Sequence, residues 1–483
     1  MDAVLKFSLH APHTPAAWIA AIALGLIVAA GADLAVLEHR LRAGPYDYPG
    51  PNCATPRAAG SAGALPAGPG AGPDAWTSFL GGPLHNEVLS DPAGRGSSPA
   101  IHWQFTAHGT IITPPAVSAA TAFFGSMDGC VYAVDLGSGA LRWSFGSDNQ
   151  IMSQPLVVAG LVFVASGNKG MAHTPTGQLV RGTGQSSLYA LDAATGQVVW
   201  QVPTLGGTMP TPTYRDGVLY AVGGGKVFYA VDAQTGHVLW QLPVGSYVSM
   251  SSPTLDGNVA VFGGALPYVF VGVNVATRSV AWRLPLPGVS SGADDVSPAI
   301  ANGVAYVQVP EGKLTKRVVE MAIRTSDGGV LWTRTLGVDR FNVVQRALGQ
   351  GEMDAHGGEE AGISTLANGV LYVGSPGVGR LWALDPSSGA VLWSSLLPAG
   401  QAVRNAPVVA DGLVYATSDT HLLILDARTG SLRASRAVGT FSENTGILIP
   451  CITAGPTIVG RTLLVGGGRD SDTLLAMPLP SPG

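Results

Sequence analysis

From Trp76 onward, apolar and polar residues alternate in short runs punctuated by Asp-Gly and Thr-Gly pairs. Period-two alternation closed by tight turns predicts antiparallel hairpins. The hairpins repeat. VYAVDLGSGALRW ends at Trp143, LYALDAATGQVVW at Trp200 and FYAVDAQTGHVLW at Trp240. FVGVNVATRSVAW to Trp282, VEMAIRTSDGGVLW to Trp332 and LWALDPSSGAVLW to Trp393 continue the series; LLILDARTGSLRA ends it at Ala434, where the Trp is lost. Each copy follows a second pair of strands, as in PTYRDGVLYAVG (Pro212 to Gly223) and PVVADGLVYATS (Pro407 to Ser418), so each unit is a four-stranded sheet.

The ends of the array complete one another. Pro456 to Met477 supplies three strands of an eighth unit, and the missing outer strand stands at the start, as IHWQF around Trp103. Pairing the two closes a ring and removes the edges of an open array. The expected fold is all-β: an eight-bladed β-propeller of four-stranded antiparallel blades, closed by N- and C-terminal strands that share the last blade. Trp103, Trp143, Trp200, Trp240, Trp282, Trp332 and Trp393 occupy one repeat position, which assigns them to packing between blades rather than to a ligand. These units resemble the pyrroloquinoline-quinone-like (PQQ-like) repeat family, whose blades carry A-x-D-x-x-T-G-x-x-x-W; the resemblance runs from Trp76 to Pro478. Asn274 and Arg324 replace the turn Asp, Arg278 the turn Gly and Ala434 the Trp, so local turn geometry is expected to differ there. Such propellers serve dehydrogenases, assembly scaffolds and hydrolases, so fold does not choose a function.

Ahead of the propeller (76–483), residues 1–43 read as a signal peptide or N-terminal membrane anchor. Ala16 to Ala32 is an apolar run of 17 after Lys6, ending in Ala30-Gly31-Ala32 as a cleavage site does. The alternative is an uncleaved anchor through Leu37, against which Arg40 and Arg42 weigh by the positive-inside rule. Residues 44–75, rich in Gly, Pro and Ala, read as a flexible linker. Cys53 falls within it. Cys130 and Cys451 are able to pair in an oxidising compartment, and spacing does not decide whether they do.

Charged residues are 12% of the chain, about half of a usual globular share of about 25%. The 26 Lys and Arg, five of them Lys, form no basic stripe, which excludes a nucleic-acid partner. With few carboxylates to protonate, the fold is expected to tolerate acid, consistent with export to the periplasm, outer membrane or cell surface.

Strands are committed to packing, so function falls to the loops between blades. Taking the third residue before the Pro that opens each blade gives Ile112, Met152, Met209, Met250, Asp295, Ala361 (Ser364 replacing the Pro), Arg404 and Thr453. With that position facing the axis, thioethers line one arc. Asp295, Asp294 beside it, Glu360 and Arg404 line the other. Each has a plainer reading: Met fills gaps, the Asp pair forms a turn or cap, and Arg404 merely neutralises carboxylates. Glu352, Asp354, His356, Glu359 and Glu360 crowd the longest interblade loop (Arg334 to Ser364) without a recognised ligand spacing, so no metal is assigned. The insertion Gly167 to Ser186, with Lys169 and Arg181, either covers the mouth or is a plain surface loop.

Three functions compete. A quinoprotein dehydrogenase needs calcium ligands and groups that sandwich PQQ; the adjacent cysteines many members use are absent. A scaffold resembling the outer-membrane assembly propeller is the second. Third, the chain resembles the tetrathionate hydrolases of acidophilic sulfur oxidisers: exported propellers of about this size that use no quinone and carry an essential acid at the channel. That resemblance implies Asp295 as general base, with Asp294 and Glu360 as further candidates. It also implies that Met152, Met209 and Met250 hold a chain of polarizable sulfurs, while Arg404 or Lys169 pairs with a sulfonate. The implied substrate is a small sulfur anion; the cofactor set is empty, with PQQ and calcium only under the dehydrogenase reading. A homodimer and an N-terminal membrane tether complete the expectations.

Overall fold

The computed structural model describes residues 50–54, 88–89, 100–167, 171–173, 179–181, 184, 186–289, 292–312, 317–338, 361–376, 378–398, 401–418, 420–440, 454–469 and 471–479. The leader, most of the linker, Lys169, Thr453, Cys451 and the carboxylates of the 335–360 loop, Glu360 among them, lie outside those residues.

Eight four-stranded antiparallel sheets form the ring. Blade 1 runs from Ala116–Ser118 through Thr121–Gly125 and Cys130–Asp135 to Leu141–Gly146. Blades 2 to 7 open on inner strands Leu156–Val158, Thr213–Arg215, Thr254–Asp256, Ala299–Ala301, Ser364–Ala367 and Val408–Ala410. Blade 8 takes three strands from the C-terminus, Thr457–Val459, Thr462–Arg469 and Thr473–Pro478, and its outer strand, Trp103–Thr106, from the start of the ring. The register Trp103↔Ala476 places Trp103 as Trp143↔Ala133 places Trp143 in blade 1, so the closure expected from sequence is the closure observed.

Burial follows position in the blade. Second and third strands are sandwiched between neighbouring sheets and read as continuous apolar runs, as strands covered on both faces must. Outer strands alternate half-buried and exposed, as in Val238–Pro243. The tryptophans tie the outer rim together. Among the described residues, six of the seven indole N–H groups donate to a turn carbonyl of the next blade, from Trp103 to Leu136 O at 2.8 Å to Trp393 to Ala427 O at 2.9 Å. The ring then lies flat on the turn glycine. A Cβ at Gly139 would sit 2.6 Å from the Trp103 ring, and the same glycine holds φ +72°, so both sterics and backbone demand Gly there. Blade 4 departs: Arg278 adopts φ +55°, and Trp240 is the indole without the bond to the next turn among the described residues.

The turn Asp caps its own hairpin. Asp426 Oδ1 accepts from the N–H groups of Arg428 and Thr429 and from Thr429 Oγ1, and Asn274 Oδ1 accepts two N–H groups in the same way. In blade 5, Asp327 takes over for the missing Asp: its Oδ1 accepts from Gly329 N–H, while Arg324 pairs with its other oxygen at 2.7 Å.

Cys130 bonds to Cys53, not to Cys451. The disulfide fastens residues 50–54 to blade 1, where Asn52 N–H donates to Asp128 O and Ala54 N–H to the Tyr132 hydroxyl. That hydroxyl donates to Asp128 Oδ2 at 2.7 Å. Farther along, Val88–Leu89 pairs in parallel with the inner strand of blade 7.

Candidate functional site

Each inner strand of the ring except that of blade 6 enters its sheet at a proline, and the residues just upstream turn in from the preceding outer strand. The Pro-before-strand register therefore puts equivalent residues around one axis. Ile112, Met152, Met209, Met250, Asp295 and Arg404, all three places before the opening proline, line one cavity of about 40 Å³. Ala361, in the same register, is buried outside that lining; Ile363 lines the cavity for blade 6.

The two arcs differ in chemistry. Met152 and Met209 pack with Ile112, Met127 and Met250 as one cluster; both are 1% exposed and still present a face to the cavity. The gap-filling and lining readings of these residues thus hold together. On the opposite arc a turn at 292–295, opened by Gly292 at φ +75°, closes with Asp295 N–H donating to Gly292 O. It directs the buried Asp295 carboxyl inward. Asp294 is half-buried and outside the lining; its carbonyl accepts the N–H groups of Met250 and Ser251 at 2.9 and 2.8 Å. It is the cap that joins the thioether arc to the acidic one. Arg404 Nη2 stands 3.9 Å from Asp295 Oδ2, an ion pair too long for a direct hydrogen bond.

A second circle of residues, directly before the prolines, holds these side chains in place. Gln154 N–H donates to Thr211 Oγ1 (2.9 Å), Thr211 N–H to Ser252 Oγ (3.0 Å) and Ser252 N–H to Ser297 Oγ (2.9 Å). The staircase runs from blade 2 to blade 5, and each hydroxyl, having accepted a main-chain N–H, keeps a proton of its own to donate. Thr211, Ser252 and Ser297 all line the cavity. The expectations missed them, although the Thr-Pro and Ser-Pro pairs at 211–212, 252–253 and 297–298 are legible signals. Among the described residues, the lining holds one carboxylate, one guanidinium and no aromatic ring. It can seat a small anion end group against Arg404 and the hydroxyls, with Asp295 alongside.

Comparison with known proteins follows the same lines. A family profile described as "Outer membrane protein assembly factor BamB" matches residues 72–178, 184–349 and 317–469. The chain is 28% identical over 462 residues to the tetrathionate hydrolase of Acidithiobacillus ferrooxidans, covering 85% of this chain and 87% of that protein. It is 26% identical over 385 residues to the tetrathionate hydrolase of Acidianus ambivalens, covering 73% and 68%. Among solved structures, BamB from Moraxella catarrhalis superposes with a TM-score of 0.55 at 15% identity, over 79% of this chain and all of that one.

Proposed function

The chain belongs to the PQQ-like propeller family described as outer membrane protein assembly factor BamB, and from that premise we propose that it is an exported hydrolase that cleaves tetrathionate. One observation carries the reading: a buried carboxylate and a guanidinium face three thioethers across a single small cavity. The similarity to two tetrathionate hydrolases supports it.

Tetrathionate is a sulfur chain with a sulfonate at each end. Arg404 and the hydroxyls of Thr211, Ser252 and Ser297 take one sulfonate, and the polarizable Met152, Met209 and Met250 take the neighbouring sulfurs. With room for little more than one compact end group, the cavity holds one terminus while the rest of the dianion extends toward the mouth. Asp295 accepts a proton from a water as its oxygen bonds to the sulfonate sulfur. The adjacent S–S bond breaks with its electron pair leaving on the chain. Sulfate is one product; the remaining three-sulfur anion sheds a sulfur atom to become thiosulfate. Water plus tetrathionate thus becomes sulfate, thiosulfate, sulfur and two protons, with no external oxidant or reductant.

This reading uses no quinone. Among the described residues, the cavity lining offers PQQ no ring to stack on and a calcium ion one carboxylate, already facing Arg404, so these residues do not fit that group. Export is supported by the Cys53–Cys130 disulfide, which belongs to an oxidising compartment; an N-terminal tether and a homodimer are part of the same proposal. The test gives the purified protein tetrathionate in acid, without added PQQ or calcium. Thiosulfate and sulfate should appear together. Turnover only with PQQ and an electron acceptor would overturn the proposal.

A further inference from the structure

Blade 5 breaks the repeat at Gln308 and Glu320, and blade 6 at Ser364, and the three places meet. In the register of Glu320 the other blades carry an apolar residue, such as Val131, Leu188 and Phe228 in blades 1 to 3. Opposite Glu320 stands Gln308, where blades 1 to 3 have Gly125, Ala165 and Val222. Ser364 replaces the proline that opens every other blade. Ser364 Oγ donates to Glu320 Oε1 at 2.7 Å, Gly362 N–H to Gln308 Oε1 at 2.6 Å, and Gln308 Nε2 to Gly374 O at 2.9 Å. A proline has no hydroxyl to give and an apolar side chain nothing to accept it, so the departures make sense only together.

Glu320 is fully buried, and among the described residues its Oε2 has no hydrogen-bond partner. Among the described residues, no cation pairs with it. Arg334, its neighbour on the outer strand, donates Nε to Gly389 O. Arg317 and Arg324, on its own strand, pair with Glu311 and Asp327, and Arg380 of blade 6 donates to Ser394 Oγ. A carboxylate supported so thinly in an apolar interior holds its proton. Burial, partly offset by hydrogen bonds with Ser364 and Gln308, pushes it up to about 8.

The segment bound this way reaches the cavity. Ile363, between Gly362 and Ser364, is part of the lining, and its N–H donates to Arg404 O at 2.8 Å. We propose that Glu320 is a positioning residue: by accepting the Ser364 hydroxyl it locks residues 362–364 of blade 6 onto blade 5, holding Ile363 and Arg404 in the cavity wall, while its ionisation leaves a buried, thinly supported charge whose hydration opens that seam and releases them. Activity is thereby lost toward alkaline pH through a group that never touches substrate. An acid whose folded form holds its proton more tightly than the unfolded chain stabilises the fold fully below the unfolded value. It loses that contribution as pH rises through the folded one.

The experiment follows thermal unfolding and tetrathionate turnover of the full-length protein from about pH 5 to about pH 9. The unfolding measurement needs no substrate; the turnover measurement rests on the reaction proposed above. Wild type should lose melting temperature and gain KM across the window, whereas Glu320→Gln, neutral at every pH, should hold both near their acid values. Infrared spectra of wild type supply a check that needs no variant: a buried protonated-carboxyl band should persist at about pH 6 and vanish as the melting temperature falls. A Glu320→Gln protein with the wild-type pH dependence, or wild type without that band, overturns the proposal. Unfolding that tracks the band in a protein inert toward tetrathionate supports the lock and sinks only the reaction.

Discussion

The rim and the axis of this ring use the same repeat in opposite ways. At the rim, one register position holds Trp in seven blades, and six of those indoles make the same bond to the next turn. At the axis, one register position holds Ile, Met, Asp, Ala and Arg in turn, and all of these but Ala361 converge on a single cavity. Repetition builds the frame. Variation at a repeated position makes the site, because the frame delivers every occupant of that position to nearly the same place.

Substitutions at the two circles should separate chemistry from architecture. The largest effect is expected at the axis: Asp295→Asn should lower tetrathionate kcat by roughly 10²–10⁴-fold, the usual worth of a positioned general base. Its far-ultraviolet circular dichroism and melting temperature should match wild type; a collapsed fold would return Asp295 to the ranks of structural turn residues. At the rim the pattern should invert. Trp200→Ala removes a buried ring and its bond to Ala233 O, and should cost roughly 3–5 kcal/mol in denaturant unfolding. Trp240→Ala should cost less, because its indole lacks that bond among the described residues and Arg278 replaces the glycine beneath it.

Arg404→Met should reduce kcat/KM by about 10–100-fold, mostly through KM, as expected for losing charge-assisted contacts to an anion. Met209→Leu conserves volume and should change stability by less than about 1.5 kcal/mol. If the thioethers hold sulfur, KM should still rise; an unchanged KM would leave these methionines as packing alone.

The smallest effect is at the exposed turns. Asp426 is pulled down to about 2, first by its hydrogen bond from Arg433 and despite some burial. A depressed carboxyl contributes stability above its unfolded value and loses it only as pH falls through the folded one. Arg433→Ala should therefore shift acid unfolding slightly toward higher pH, by an amount set by a pair worth at most about 1 kcal/mol at the surface. The contribution of this turn is lost toward strong acid, that of the buried Glu320 toward alkali.

Blade count, four-stranded architecture and terminal closure were legible in the sequence, because hairpin periodicity and the Trp position recur on a fixed local spacing. So was the axial register, by the simple device of counting back from each proline. The Glu320 anomaly was equally open to view, as the lone acid in a column of apolar residues, but its meaning was not. Its partner Ser364 lies 44 residues away on the next blade. Local spacing likewise left Cys130 without a partner: the bond to Cys53 spans 77 residues, and no pattern distinguishes that cysteine from Cys451.

The chain alone therefore determined the ring and the order of residues around its axis, since both arise from short-range alternation and turn chemistry. Tertiary structure alone decided which side chains share a cavity, that Asp294 caps while Asp295 faces inward, and that three departures from the repeat form one buried network. Those outcomes depend on packing between strands distant in sequence, where burial and desolvation, not local propensity, set the energy.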